Sequence, residues 1–333
     1  MATKGSSLRH DAWMRLRKNS MASASLFFVF LIIAACFFVP IIGDWTAPND
    51  DNLSVTENDT IQYNEHWFKP SNYQNLDNKF AAPSGQHWLG TDQVGRDLLA
   101  RLLLGGQISI LVGLVSTTIA GLIGITYGAI SGYIGGRTDN LMMRIVDILY
   151  GLPFLVIVIL IALLFSAYTK EASQYIIDSW GWDSELVLKF ANLIPLFIAI
   201  GSIGWLTMAR ITRAQALSIK KLEYIEAARS LGLSHFKIML RHITPNMLGP
   251  IIVYATLTVP GFILAEATLS YLGLGVQSPN SSWGILLQEG ANYMETQPRL
   301  LIVPSVIFSL TLLALNFLGD GLRDALDPKA AKD

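Results

Sequence analysis

Five stretches of this chain, from Lys18 to Asp44, Arg101 to Arg137, Asp147 to Lys170, Lys189 to Arg210 and Arg299 to Asp320, carry no internal Asp, Glu, Lys or Arg. Each leaves about 20 residues or more, the length at which a helix crosses a ~30 Å hydrocarbon core. A sixth stretch, from Arg241 to Glu289, holds only Glu266 and accommodates one span and a following turn. With 15% charged and 52% hydrophobic residues, against roughly 25% charged in an ordinary soluble domain, an all-α integral membrane protein with six transmembrane helices is expected. The first span, near Ser23 to Gly43, follows a basic leader as a signal peptide does. Its apolar run is long, and Phe37, Phe38 and Pro40 stand where a cleavage site needs small residues, so a retained helix is expected.

The charge pattern orients the helices. With the N-terminus in the cytoplasm, 17 of the 24 Lys and Arg residues fall on the inner side and 7 on the outer, so both termini are expected to be cytoplasmic. The domains then read as a basic leader (1–22), a first helix (23–43), an extracytoplasmic loop (44–106), a five-helix core (107–320) with a loop at 210–245, and a cytoplasmic tail (321–333). The outer loop contains two Asn-x-Ser/Thr sequences at Asn52 and Asn58. Residues 168–189, with Trp180 and Trp182, read as an interfacial segment at headgroup level.

Several chemistries are disfavoured by what the chain lacks. A net charge of -1 gives no electrostatic footprint for nucleic acid. The single cysteine, Cys36, rules out a disulfide framework. No Gly-x-x-x-x-Gly-Lys-Ser/Thr, His-Glu-x-x-His or Gly-x-Ser-x-Gly sequence occurs, so neither a nucleotide site nor the common hydrolase nucleophiles are expected. The chain is read as non-enzymatic, with no cofactor or metal of its own.

Helix 2 carries Gly124, Gly128, Gly132 and Gly136 at four-residue spacing. That face admits close approach of another helix, from this chain or from a partner. The loop from Arg210 to Thr244 reads as two short helices. Ser218 is expected to cap the first, over Ile219, Leu222, Ile225 and Ala228; Gly232 closes it in a left-handed conformation, and Ser234 caps the second before Pro245 ends it. Such a protrusion either docks on a partner or lies along the headgroups as a basic amphipathic hairpin.

Glu226-Ala227-Ala228, Gly232, Arg241-His242, Pro245 and Asn246 resemble the EAA loop of permease subunits from ATP-binding cassette importers. His87 to Asp97, Ile263 to Gly275 and Leu318 to Pro328 resemble blocks of the oligopeptide and dipeptide permease family, specifically its "C"-type subunit. The resemblance runs over nearly the whole chain. It implies a type I importer permease that pairs with a homologous second permease, two cytoplasmic ATP-binding subunits holding ATP and Mg, and an extracytoplasmic substrate-binding protein. It also implies half of a pathway for di- or oligopeptides, or, as in some relatives, for nickel or another small solute. Glu226, Ala227, Ala228, Gly232 and Leu233 are the residues expected to couple to the ATPase.

A secondary transporter or channel is the alternative class, and it usually places ionisable groups near the bilayer midplane. Glu266 is the one ionisable group within the spans, and about 20 residues at ~1.5 Å from a start near Met247 put it close to the outer end. There it either lines the outer mouth of a pathway or bonds to neighbouring polar groups. Asp92 and Arg96 form an i,i+4 pair if their segment is helical, exposed and worth under about 1 kcal/mol. Asp320, Arg323, Asp324 and Asp327 mix signs near the end of the last helix. The orientation is tested with Lys220→Cys, Glu57→Cys and Asp178→Cys variants and an impermeant thiol reagent outside the cell. Positions 57 and 178 are expected to label and 220 not to; labelling at 220 without labelling at 57 reverses the assignment.

Overall fold

Inside a bilayer no water is available to backbone amides and carbonyls, so each crossing segment must satisfy its own hydrogen bonds as a helix. The protein, described as a computed structural model over residues 8–46, 54–55, 61–62, 74–277 and 280–326, follows this rule. In chain order the elements are α1 (Leu8–Lys18), α2 (Ser20–Thr46), β1 (Ser54–Val55), β2 (Ile61–Gln62), a 3-10 turn (Leu76–Asn78), α3 (Leu98–Ile134), α4 (Gly136–Tyr150), α5 (Phe154–Trp180) and α6 (Ser184–Ala191). There follow α7 (Ile194–Ile219), α8 (Glu223–Ser230), α9 (His235–Ile238), a π-helical segment (Met239–Ile243), α10 (Thr244–Tyr271), α11 (Trp283–Asn292) and α12 (Arg299–Leu326). Among the described residues six helical spans are long and apolar enough to cross a membrane. β1 and β2 form a two-residue antiparallel ladder. Residues 47–53, 56–60 and 63–73 of the expected outer loop, with Asn52, Glu57 and Asn58, lie outside the described residues, as do Asp327 and Pro328.

Three boundaries differ from expectation. α3 begins at Leu98, inside the stretch read as loop to residue 106, because the Asp97 carboxylate accepts from the Ala100 amide at 2.9 Å and caps the helix. It ends at Ile134, because Gly135 and Gly136 adopt positive φ of 72° and 61°; Gly136 is therefore not on the face of Gly124, Gly128 and Gly132. α5 extends to Trp180, where left-handed Gly181 stops it, so most of the expected interfacial segment is helix.

The chain forms two compact units. The first comprises Met1–Leu26, Val112–Ala265 and Leu313–Asp333. Its seam is the glycine face of α3 against α7: a Cβ added at Gly124 would meet Met208 Cβ at 2.6 Å, one at Gly128 would meet Thr212 Cβ at 2.8 Å, and one at Gly132 would meet Ala216 Cβ at 2.8 Å. The open question of which helix meets that face is answered within this chain. Gly201 on α7 reciprocates against Ile119, and Gly204 receives the ring of Phe262. Near the N-terminus Leu16, Ala22 and Ala325 form a small buried cluster, and Asn19 Oδ1 accepts from the Ala22 amide at 3.2 Å where α1 passes into α2.

The second unit comprises Phe27–Leu111 and Glu266–Leu312. Trp283 is fully buried, donates from Nε1 to the Leu102 carbonyl at 3.0 Å and meets the Phe308 ring edge-on. Gly106 leaves room for that indole and for Cys36. Asp92 and Arg101 lie with only 3% of each side chain exposed, and Arg101 bonds both Asp92 and Glu289, at 2.8 and 2.5 Å. The Asp92 to Arg96 pair forms at 2.7 Å, on a turn rather than a helix, with Asp92 Oδ1 also accepting the Arg96 amide at 2.9 Å. Its expected exposure is therefore corrected: removing one member of such a buried network costs about 3–5 kcal/mol.

The glycine seam yields a stability prediction. Gly128→Leu or Gly132→Leu is expected to destabilise the isolated chain by roughly 1–3 kcal/mol or more, since overpacking here meets backbone as well as side chains. Thermal unfolding in detergent is the measurement, and a leucine variant with the parent Tm contradicts the seam.

Candidate functional site

The chain between α7 and α10 presents a projection whose rigidity follows from which residues face inward. Along α8, Ile225 and Ala228 are buried, joining Tyr133 of α3, Ala216 and Ile219 of α7, and Ile243, Met247 and Ile251 in one apolar cluster. Leu233 and Met239 pack against the same cluster. The opposite face carries Glu226, Ala227 and Arg229 in solvent-exposed positions, and Leu231 at the tip is 80% exposed. Of the five residues expected to form the coupling surface, Glu226, Ala227 and Gly232 are outward. Ala228 and Leu233 pack into their own chain.

The turn after α8 is closed as the glycine requires. Gly232 has φ +77°, the Leu233 amide reaches back to the Ala228 carbonyl at 3.2 Å, and the Leu231 amide to Ala227 at 3.0 Å. Ser234 caps α9 by accepting from the Lys237 amide. Two expectations are corrected. Ser218 does not start a helix, because α7 runs on to Ile219 with buried Ala216 and Ile219 on its packed face, and α8 starts after Leu222 without a side-chain cap. Pro245 does not end the second helix either. The π-helical segment Met239–Ile243 widens the turn, Thr244 donates to Met239, and the Asn246 side chain donates to the His242 carbonyl at 2.6 Å. The helix therefore continues past a residue with no amide proton.

The supports of the projection are polar. Arg213 of α7 bonds Asp139 of α4 through Nε and Nη2, both at 2.5 Å, and Ser131 donates to the same carboxylate at 2.6 Å. The Arg213 guanidinium holds the Asp139 carboxyl below the usual carboxylate range, against the opposing effect of its burial and with help from Ser131. A more exposed pair, Arg210 to Asp147 at 2.6 Å, lies farther along the same two helices, with Arg210 stacked 4.1 Å from the Tyr150 ring centroid. Tyr133 and His235 are bonded at 2.8 Å between the Tyr hydroxyl and Nδ1.

Glu266 belongs to the second unit and has none of its surface exposed. Ser109 donates to Oε2 at 2.9 Å and Ser270 to Oε1 at 2.6 Å; Ser109 Oγ in turn accepts the Trp283 amide at 3.2 Å. The carboxyl group thus joins α3, α10 and α11. Sequence reasoning did not single out Leu231, Asp139, Arg213 or Glu289. Leu231 had a local signal, an apolar residue directly before the left-handed glycine. The partners of Arg101 and Arg213 are set by helix packing, and no spacing rule reports them. Among the described residues no group of three or more His, Cys, Asp or Glu side chains is placed to hold a metal ion.

Among the described residues, six apolar spans and a helical projection between α7 and α10 define a multi-pass membrane protein. Residues 124–332 match the family described as binding-protein-dependent transport system inner membrane component, and residues 7–83 match the N-terminal transmembrane domain of oligopeptide transport permease C. The chain belongs to this family of inner-membrane permease subunits of ATP-binding cassette importers, which are not themselves enzymes. It is similar to the oligopeptide transport system permease protein OppC of Haemophilus influenzae, 45% identical over 99% of this chain and 91% of the relative. It is also similar to the dipeptide transport system permease protein DppC of Bacillus subtilis, at 40% identity over 97% and 86%. A third relative, the glutathione transport system permease protein GsiD of Escherichia coli, is 37% identical over 96% and 90%.

The Asp139 pair has a pH signature. Its folded carboxyl titrates below the unfolded value of about 3.9, so its contribution is complete above that value and is lost as pH falls through the lower folded pKa. Asp139→Asn is expected to cost about 1.5–3 kcal/mol at neutral pH and to flatten the loss of thermal stability as pH falls below about 4. Parallel acid profiles for the variant and the parent contradict this role.

Proposed function

We propose that this chain forms half of the translocation pathway of an importer for di- or oligopeptides, with both termini and the α8 projection on the cytoplasmic side. The relatives named for oligopeptide, dipeptide and glutathione transport share short peptide-like solutes as cargo, and this supports a peptide substrate. The asymmetry of basic residues supports the orientation. A homologous second permease completes the pathway, two ATP-binding subunits dock beneath it, and a binding protein delivers solute from outside.

The observation that carries the coupling proposal is Leu231, an 80% exposed apolar side chain on the tip of a helix whose other face is locked into the bundle. A large apolar group held out on a rigid support fits a groove on a partner, as interface anchors do. Glu226 and Ala227 complete the outward surface. Force applied there passes through Ile225 and Ala228 to α7 at Ile219 and to the chain entering α10 at Ile243 and Met247, because a close-packed cluster transmits displacement rather than absorbing it. Ala228 and Leu233 therefore act as transmission rather than contact. Glu266 is read as a structural tie in the second unit, not a lining of the pathway.

The test is Leu231→Asp beside Gly232→Val. Leu231 is so exposed that its replacement is expected to change this chain's stability by no more than about 0.5 kcal/mol, whereas valine at a φ of +77° is strained by roughly 1–2 kcal/mol. Both are expected to lower uptake and ATPase co-purification at least tenfold, and to leave membrane insertion and the binding protein's affinity for its solute unchanged. A purified Leu231→Asp complex with normal subunit stoichiometry and ligand-stimulated ATPase activity overturns the assignment.

A further inference from the structure

Beside the projection, between the ends of α3 and α7 and the start of α9, lies a cleft of about 540 Å³. Three of its lining side chains are basic or can donate from an imidazole: Lys220, Arg229 and His235. Among the described residues no Asp or Glu lines it. The Arg229 backbone carbonyl accepts from the Gly232 amide at 3.0 Å, and among the described residues its guanidinium makes no hydrogen bond or ion pair. Lys220 Nζ donates to the Ile134 carbonyl at 3.3 Å, which holds the ammonium at the rim. The Tyr133 hydroxyl and Nδ1 of His235 share a hydrogen bond at 2.8 Å, and Nε2 donates when the ring is protonated or in its Nε2–H tautomer. The remaining wall is apolar, with Ile130, Ile134 and Met239.

A basic rim over an apolar floor suits a ligand that is anionic at one end and hydrocarbon at the other. The level of the cleft points the same way. α7 has 26 residues, about 39 Å at 1.5 Å per residue, and a bilayer with its headgroups is roughly 40–45 Å thick. Lys220, the residue after its last turn, therefore stands in the headgroup layer when Ile194 stands in the opposite one. On the cytoplasmic side that layer is anionic and attracts basic side chains.

We propose that this cleft binds the phosphate of an anionic phospholipid of the cytoplasmic leaflet, with the phosphate between Lys220, Arg229 and His235 and an acyl chain along Ile130, Ile134 and Met239. The proposal rests on the inward orientation of α8 given above and assigns a lipid to its inner flank. A lipid seated there touches α3, α7 and α9 at once, and its presence makes the stance of the projection sensitive to membrane composition.

The experiment uses the full chain in its purified assembled transporter, stripped of lipid and titrated with phosphatidylglycerol or phosphatidylcholine, with retained lipid counted by native mass spectrometry. Phosphatidylglycerol is expected to be retained about tenfold or more in preference. The double variant Lys220→Gln/Arg229→Gln is expected to lose that preference, whereas Lys221→Gln/Lys237→Gln, which removes the same charge from nearby positions outside the cleft, is expected to keep it. Ile130→Trp, which fills the floor and leaves every charge in place, is expected to lower retention in the same way.

Equal loss from both charge-removing doubles, or no preference for the anionic lipid, overturns the proposal. So does displacement of the lipid by millimolar inorganic phosphate, which marks a simple anion site. Loss of ATPase subunits with unchanged lipid retention also overturns it, since the cleft then holds an acidic group of a partner. Lipid counting does not require uptake or a given orientation, so its outcome is separable from that of the Leu231→Asp test.

Discussion

The seam between α3 and α7 is the contact on which the first unit depends. Lipid tails are as apolar as leucine, so two transmembrane helices gain little from mere contact and must gain from closeness. Gly124, Gly128 and Gly132 supply that closeness by letting Met208, Thr212 and Ala216 lie where side chains of α3 would otherwise stand. With α7 so placed, its last two turns bring Arg213 onto Asp139 and Ala216 and Ile219 under α8. The projection thus inherits its position from the glycines.

The second unit is held by a different device. Arg101, Asp92 and Glu289 form a network in which each charge has a partner, and Glu266 is surrounded by serine hydroxyls rather than by a counter-ion. A buried charge without a partner is expensive, so these groups tie distant segments firmly even where their net contribution to stability is small. Removing one member leaves the others stranded, which is why such networks set geometry more than they set stability.

The projection combines two properties that oppose each other in most surface loops. Its inward face is packed as tightly as a core, with Ile225, Ile238, Ile243 and Met247 fully buried, while its tip exposes Leu231 and Phe236. The π-helical segment that carries the helix past Pro245 connects the tip to α10 without a flexible hinge. A short helix mounted in this way is packed against the spans behind it, the property that the proposed coupling to ATPase subunits requires.

The six spans, the left-handed Gly232, the Ser234 cap and the four ordered blocks of family resemblance are all legible in the sequence, because each depends on local chemistry: a run without charge, a residue lacking Cβ, a hydroxyl before a helix. The proposed orientation rests on the asymmetry of Lys and Arg. Other features were decided only by tertiary structure. The four-residue glycine pattern does not say which helix meets it, and Glu289 and Asp139, which bond Arg101 and Arg213, lie 188 and 74 residues away along the chain. Ala228 and Leu233 read as contact residues beside Ala227 until packing turns them inward and leaves Leu231 outside. Pro245 reads as a stop until a widened turn absorbs its missing amide proton. In each case the deciding energy comes from groups distant in sequence, and a local pattern carries no record of which of them will be near.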